Sequence, residues 1–447
     1  PFFRFVQHYL NGLMFALPMV LQGATMLLWG YGLWGAIDLD VRTGSAIALG
    51  FVGSYVATSG FAWAIVRRGL FYHYQSEGGL AKWSALRMWW VSVRCALGLG
   101  VAAFVFNALY GFLPMDLFFI ALAYYAALVL FWLNWALIFL VRRTHWLLAA
   151  LSVSIAIVVG AVEVLHWAIV PANLAGLAIA DCLTFLAGYL GLSGWARNGA
   201  GKPAVNPPRL TVLVYSSAQV FLYGTLYSAF IFADRILAWT STRGREDFPP
   251  YAFWLNARYE LGMDLALIVV VLLSGLVEHA THQFSARLVP EQKRVKSGES
   301  DRFIARFRSF FVKHRLVLAA SAIVSIAISA LAFDALRRFP SEELQKSLGA
   351  ASTERVFWVA AVSYAIFMLA LQSILVLMTL SRADLAVRAM SIALLVNVVV
   401  GFAASRSIHY SGAVFGLLAG SVTLALLAYR SLGQVLDDLD YHYYAAY

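Results

Sequence analysis

The length of its apolar stretches constrains this chain before anything else. From Leu10 to Tyr429 the sequence falls into runs of about 20 residues or more with very little charge, the length an α-helix needs to cross bilayer hydrocarbon. A helix on the surface of a soluble domain keeps a polar face. A membrane barrel would need strand-like alternation, and that pattern is absent. The sequence therefore predicts an all-α polytopic membrane protein. Composition agrees, since 62% of the 447 residues are hydrophobic and 13% are charged, against about half and about a quarter in soluble domains.

Twelve spans are predicted. They are Leu10–Trp34 with a kink at Pro18, Gly44–Val66, Met88–Gly111, Leu117–Leu140, Trp146–Ile169 and Leu174–Leu192, then Leu210–Phe232, Leu261–Phe284, Leu316–Phe333, Val356–Leu380, Leu385–Ala404 and Ala413–Tyr429. A linker rich in Pro, Gly and Asn, residues 197–209, separates the sets. Two six-helix lobes are expected, 1–196 and 210–447, in the manner of transporters whose paired halves flank a path. Loops after the even-numbered spans hold most of the Lys and Arg, which by the positive-inside bias puts them and both termini in the cytoplasm. That accounts for the net charge of +10 without a nucleic-acid partner. The first run is too long for a cleavable signal and lacks a small-residue cleavage site. Cys95 and Cys182 lie in apolar runs and make neither a disulfide framework nor zinc spacing.

Charged residues inside or beside spans are costly, so each marks a pathway or a structural ion pair. Glu163 and His166 are spaced to share a face of the fifth span, Asp181 lies inside the sixth, and Asp234 with Arg235 closes the seventh. Tyr259, Glu260 and Asp264 open the eighth, and Glu278 stands near its other end with His279 and His282. These residues form either an acidic vestibule that attracts a cation or cationic polymer, or, for Asp234–Arg235 and Glu260–Arg258, interfacial ion pairs. Glu163 and Asp264 are expected to lie deeper than the others. The aromatics Tyr223, Tyr227, Trp239, Tyr251 and Trp254 are placed to stack on sugar faces. Arg67, Arg68 and Tyr72 form a cytoplasmic mouth, either as a topology signal or as a headgroup site. The basic segment 287–315 includes Arg302, Arg306, Arg308, Lys313 and Arg315 around a stripe of Phe residues, the pattern of an amphipathic helix lying on anionic lipids of the inner leaflet. No phosphate-binding lysine loop, HExxH or GxSxG motif occurs, so no enzyme, cofactor or metal is expected.

Asp234-Arg235, the run Tyr259-Glu260-x-Gly262-Met263-x-Leu265-Ala266, the stretch Glu278 to Phe284, and Arg67 to Tyr72 with Glu77 together resemble the Pel exopolysaccharide transporter family. That family belongs to the multidrug/oligosaccharidyl-lipid/polysaccharide flippase superfamily. The resemblance implies twelve helices in two lobes in a bacterial inner membrane. It implies export of a hexosamine-rich polysaccharide or lipid-linked sugar, alongside a cytoplasmic glycosyltransferase and other membrane subunits. Two other functions stay open, a cation-coupled small-molecule exporter and a non-transporting scaffold that recruits partners through segment 287–315.

Overall fold

The structure, a computed structural model, describes residues 17–35, 39–198, 207–244, 251, 253–292, 300–338 and 342–439. These form helices α1 (Leu17–Trp29), α2 (Val41–Tyr74), α3 (Gly78–Tyr110), α4 (Met115–Val141), α5 (Thr144–Glu163), α6 (Ile169–Asn198) and α7 (Leu210–Trp239). Then follow α8 (Ala257–Gln292), α9 (Ser300–Arg337), the short α10 (Glu342–Leu348), α11 (Ala351–Thr379), α12 (Ala383–Ser407) and α13 (Ala413–Asp437). Among the described residues, eleven of these helices are long and apolar enough to cross a membrane. Among the described residues each predicted span is largely helical; the first, Leu10–Trp34, overruns α1, which ends at Trp29, and the fifth, Trp146–Ile169, overruns α5, which ends at Glu163. Residues 199–206 of the linker, residues 245–250 and 252 of the α7–α8 loop, residues 293–299 of the basic segment and the chain beyond Leu439 lie outside the described residues.

Several helices overrun their apolar windows. The 38 residues of α9 reach over about 50 Å at about 1.5 Å per residue, while the hydrocarbon is about 30 Å thick. The basic segment is therefore not a separate helix. From Ser300 it is the leading part of α9, because no Gly or Pro interrupts the chain between Ser300 and Arg337. Its Phe stripe runs on in register, from Phe303, Phe307 and Phe311 to Leu318, Ala322 and Phe333, all buried.

Close packing divides the chain into two units, the first gathering Leu17–Ala229 and the second running from Phe230 through α8 to α13. The division falls inside α7. In lipid the hydrophobic effect does not press helices together, so small residues and buried hydrogen bonds do that work. In the first unit, α7 lies so close on α2 that a Cβ at Gly60 would stand 2.6 Å from the Phe221 carbonyl oxygen. Ser59 Oγ bonds Ser228 Oγ at 2.7 Å and the Gly224 carbonyl at 3.0 Å across the same seam. Trp89 Nε1 donates to Asn134 Oδ1 at 3.0 Å, and Asn134 Nδ2 donates to the Asp181 carbonyl at 3.1 Å, joining α3, α4 and α6.

In the second unit, Gly262 lets α8 reach α11. A Cβ there would meet the Thr353 carbonyl oxygen at 2.8 Å and Val356 Cγ1 at 3.0 Å. The glycine of the Tyr259-Glu260-x-Gly262 run is thus a packing residue. Gly262→Val should cost about 1–3 kcal/mol through overpacking and lower the melting temperature of the detergent-solubilised protein. Gly98→Ala, which meets nothing within 4 Å, should not. An unchanged melt for Gly262→Val would show that α8 and α11 are not in contact there.

Candidate functional site

The charged residues at the adjoining ends of α7 and α8 come together within the second unit. Asn256 starts α8, its Oδ1 accepting from the Tyr259 amide at 3.1 Å and its carbonyl from the Glu260 amide at 3.0 Å. This cap places Tyr259 and Glu260 in the first turn, and the four-residue spacing puts Asp264 on the same face as Glu260. Arg235, on α7, spans that face with its two terminal nitrogens. Nη1 is paired with Glu260 Oε2, and Nη2 with Asp264 Oδ1 at 2.8 Å. The second oxygen of Glu260 accepts from Trp239 Nε1 at 2.7 Å. Tyr259 donates its hydroxyl to Asp234 Oδ2 at 2.7 Å. Below the guanidinium lies the Phe232 ring, 5.7 Å away, and Tyr364 of α11 stands in the charge field of the group, fully buried.

Burial in this cluster is graded. Asp234 is 0% exposed and Arg235 6%, while the Asp264 side chain is 61% exposed. The ion pairs differ from those the sequence order suggested. Successive residues on a helix do not face each other, so Asp234 turns to Tyr259, and its neighbour Arg235 turns to Glu260 and Asp264. Glu260 takes its charge partner from α7 rather than from Arg258 beside it. Exposure does not follow position along the helix: Asp264 lies one turn further into α8 than Glu260 yet its side chain is open, while Asp234 and Arg235 are enclosed.

Glu163, His166 and Asp181 belong to the first unit. Glu163 is the last residue of α5, is exposed, and accepts from the Tyr31 hydroxyl at 2.8 Å. His166 does not share a helical face with it. The helix has ended, and His166 occupies a left-handed turn with φ +53° as the chain swings towards Pro171 and α6. Asp181 is buried midway along α6, and its Oδ1 has no hydrogen-bond partner. Arg67 is exposed near the end of α2, Arg68 Nε donates to Ser217 Oγ of α7 at 3.2 Å, and Tyr72 is half-buried against Phe71. Glu278, His279 and His282 are half-buried on α8, about five turns beyond Glu260. Among the described residues no three His, Cys, Asp or Glu side chains form a metal-holding group.

Two of the aromatics expected to meet sugar are structural instead. Tyr223 is fully buried, edge-on to Trp63 at 5.3 Å, and Trp239 is buried under its bond to Glu260. On α9, Phe303, Phe307 and Phe311 pack on Phe284, Leu380 and Leu436 of their own unit rather than facing outward. Arg302, Arg306, Arg308 and Lys313 are exposed, and Arg315 is half-buried. Sequence reasoning passed over Asn134, Asn173, Asn397, Tyr364 and Arg406. Asn397 Nδ2 donates to the Phe230 carbonyl at 3.0 Å, and Arg406 donates to the Leu237 carbonyl and to Thr240 Oγ1, each at 2.7 Å. Their signal was available, since each is a polar residue in or at the end of an apolar run, where a partner is obligatory.

No known family's profile matches the chain, and no curated protein does. Solved structures match it over nearly its full length. One is a MOP superfamily transporter from Pyrococcus furiosus, with a TM-score of 0.69 at 12% identity, covering 98% of this chain and 96% of that one. A second, an outward-facing multidrug resistance MATE family transporter of the MOP superfamily, gives 0.67 at 12% identity with the same coverage. A mutant Vibrio cholerae MATE transporter gives 0.64 at 14% identity, covering 97% and 96%. The chain is a multi-pass, all-helical membrane protein with the MATE-like fold of MOP superfamily transporters.

Removing Arg235 alone should leave Glu260 buried without its countercharge, so Arg235→Met is expected to cost about 3–5 kcal/mol and abolish folded protein in size-exclusion profiles. Arg235→Met with Glu260→Gln should recover part of that loss. Asp264→Asn, on the open side, should fold normally. A double variant no better than the single would show that the two residues are not energetically coupled.

Proposed function

We propose that this protein exports a saccharide-bearing solute, either a growing polysaccharide or a lipid-linked sugar, across a bacterial cytoplasmic membrane. It does so by alternating access or as a conduit fed by a synthase. One observation carries the reading: two parts of the pattern through which the sequence resembles the Pel exopolysaccharide transporters, Asp234-Arg235 and the run from Tyr259, meet in one cluster, while Glu278 to Phe284 and Arg67 to Glu77 lie apart from it. Asp234, Arg235, Tyr259 and Glu260 are joined there by direct contacts, with Asp264 as the exposed member and Gly262 as the packing residue that holds α8 in place.

The cluster sets three carboxylates against one guanidinium, an excess of two acids in a helix bundle. Positive charge must be drawn in to balance it. Amino groups of a partly deacetylated hexosamine chain, protons and metal cations all satisfy that requirement, and Asp264 is the point of access. In the first unit Asp181 is a second buried acid, with an oxygen that lacks a hydrogen-bond partner. The fold alone does not choose the cargo. The Pyrococcus furiosus transporter is itself described by a binding pocket of reversed polarity and a different function. A cytoplasmic glycosyltransferase and further membrane subunits would supply the polymer.

The test is carbohydrate measured inside and outside cells that lack the protein and cells that carry variants. We expect secreted polymer to disappear and cytoplasmic or lipid-linked sugar to build up. Asp264→Asn should restore secretion to about a tenth of wild type or less, with folded protein unchanged; that corresponds to about 1.4 kcal/mol or more. Unchanged polymer in both places in the deleted strain overturns the saccharide reading. The second reading, export of small organic solutes coupled to cations, is favoured by the fold shared with a multidrug transporter. Its mark would be raised drug sensitivity with normal polymer.

A further inference from the structure

We propose that the leading four turns of α9 form a binding site for the headgroup of an anionic phospholipid. The apolar stripe of this segment is already used, because Phe303, Phe307 and Phe311 are 5%, 2% and 4% exposed against the core of their own unit. What the segment offers to its surroundings is the opposite face. There an open groove of about 620 Å³ runs along the helix, lined by Ile304, Arg308, Val312 and Lys313, with Asp301 and Asp437 at its acidic edge. The volume suits a phosphate headgroup with its glycerol. Arg308 holds Asp437 in the groove in an ion pair, so a protein carboxylate already occupies one anion position.

The row of side chains that leads out of the groove along α9 is amphipathic. Arg308, Val312 and Arg315 follow one another at helical spacing, and the row continues into Leu316 and Ile323, which are 65% and 71% exposed. Cationic residues therefore give way to a lipid-facing apolar surface within about two turns. At the crossover, the Arg315 guanidinium lies 4.1 Å from the centre of the Tyr429 ring. That stacking fixes its position, and its Nη1 is buried with no hydrogen-bond partner. A cation held there without a countercharge is costly, and a phosphate beside Lys313 and Arg308 in the adjoining groove would bring the opposite charge close to it. A ligand with an acidic head and a hydrocarbon tail matches both parts of the row, whereas free phosphate matches only the first.

The probe is dioleoylphosphatidylglycerol, titrated by native mass spectrometry onto the full chain in detergent, with dioleoylphosphatidylcholine and inorganic phosphate as comparisons. Wild type should retain the glycerol lipid in preference to the choline lipid. Lys313→Gln with Arg315→Gln should weaken that binding about twentyfold or more, at about fivefold per neutralised charge. Asp437→Asn should strengthen it by freeing Arg308, and Arg388→Gln, exposed on α12, should leave it unchanged. Should the double variant fold poorly, Tyr429→Leu, which removes only the stacking ring, should still weaken binding several-fold. Retention of the glycerol lipid at wild-type affinity by these variants overturns the proposal. Full competition by millimolar inorganic phosphate also overturns it, assigning the groove to free phosphate.

Discussion

The guanidinium of Arg235 is the charge on which one end of the second unit depends. It is enclosed in a helix bundle and bound to two carboxylates of α8 through separate nitrogens. Burying one ion without partners costs several kcal/mol. The arrangement is therefore sustained only while α7 and α8 keep their mutual register. That register is secured by groups that are not themselves charged. Trp239 caps the second oxygen of Glu260, Tyr259 ties Asp234 to α8, and Gly262 brings α8 against α11. The same contacts that hold the helices also leave Asp264 facing outward with charge to spare.

Elsewhere the two units are held by the means available to helices in lipid. Apolar side chains gain little by moving from acyl chains to protein, so interfaces rely on close approach and on hydrogen bonds that no lipid can replace. Gly60 with Ser59 and Ser228, the Trp89–Asn134 pair, and Asn397 on the Phe230 carbonyl are of this kind. Helix α7 takes part in both systems. Its residues up to Ala229 are bonded into the first unit, and from Phe230 onward into the second.

The likeness to MOP superfamily transporters extends over almost the whole chain at 12–14% identity. Such a level preserves helix order and packing while letting side chains change freely. Charged groups therefore have to be read from this chain's own contacts. In the second unit Glu260 and Asp264 share Arg235, and Asp234 is tied to the same turn of α8 through Tyr259. Asp181 stands buried in the first, and Glu163 is spent on a surface bond to Tyr31.

The sequence by itself determined the class of structure. Runs of about 20 apolar residues admit only helices across a bilayer, and among the described residues every predicted span is largely helical, with the ends of the first and fifth running past Trp29 and Glu163 into the following turns. It also marked Asp234, Arg235, Glu260 and Asp264 as exceptional, because charge in such runs needs a reason. Only the tertiary structure decided who pairs with whom. Neighbours in sequence point about 100° apart on a helix, so Arg235 finds its carboxylates 25 and 29 residues away. The end of α5 at Glu163 separated His166 from it, and the absence of any break after Ser300 joined the basic segment to α9. Hydrophobic periodicity specifies that a face is buried but not what buries it, which is why the Phe stripe of α9 read equally well as a lipid-facing surface and as the core it is.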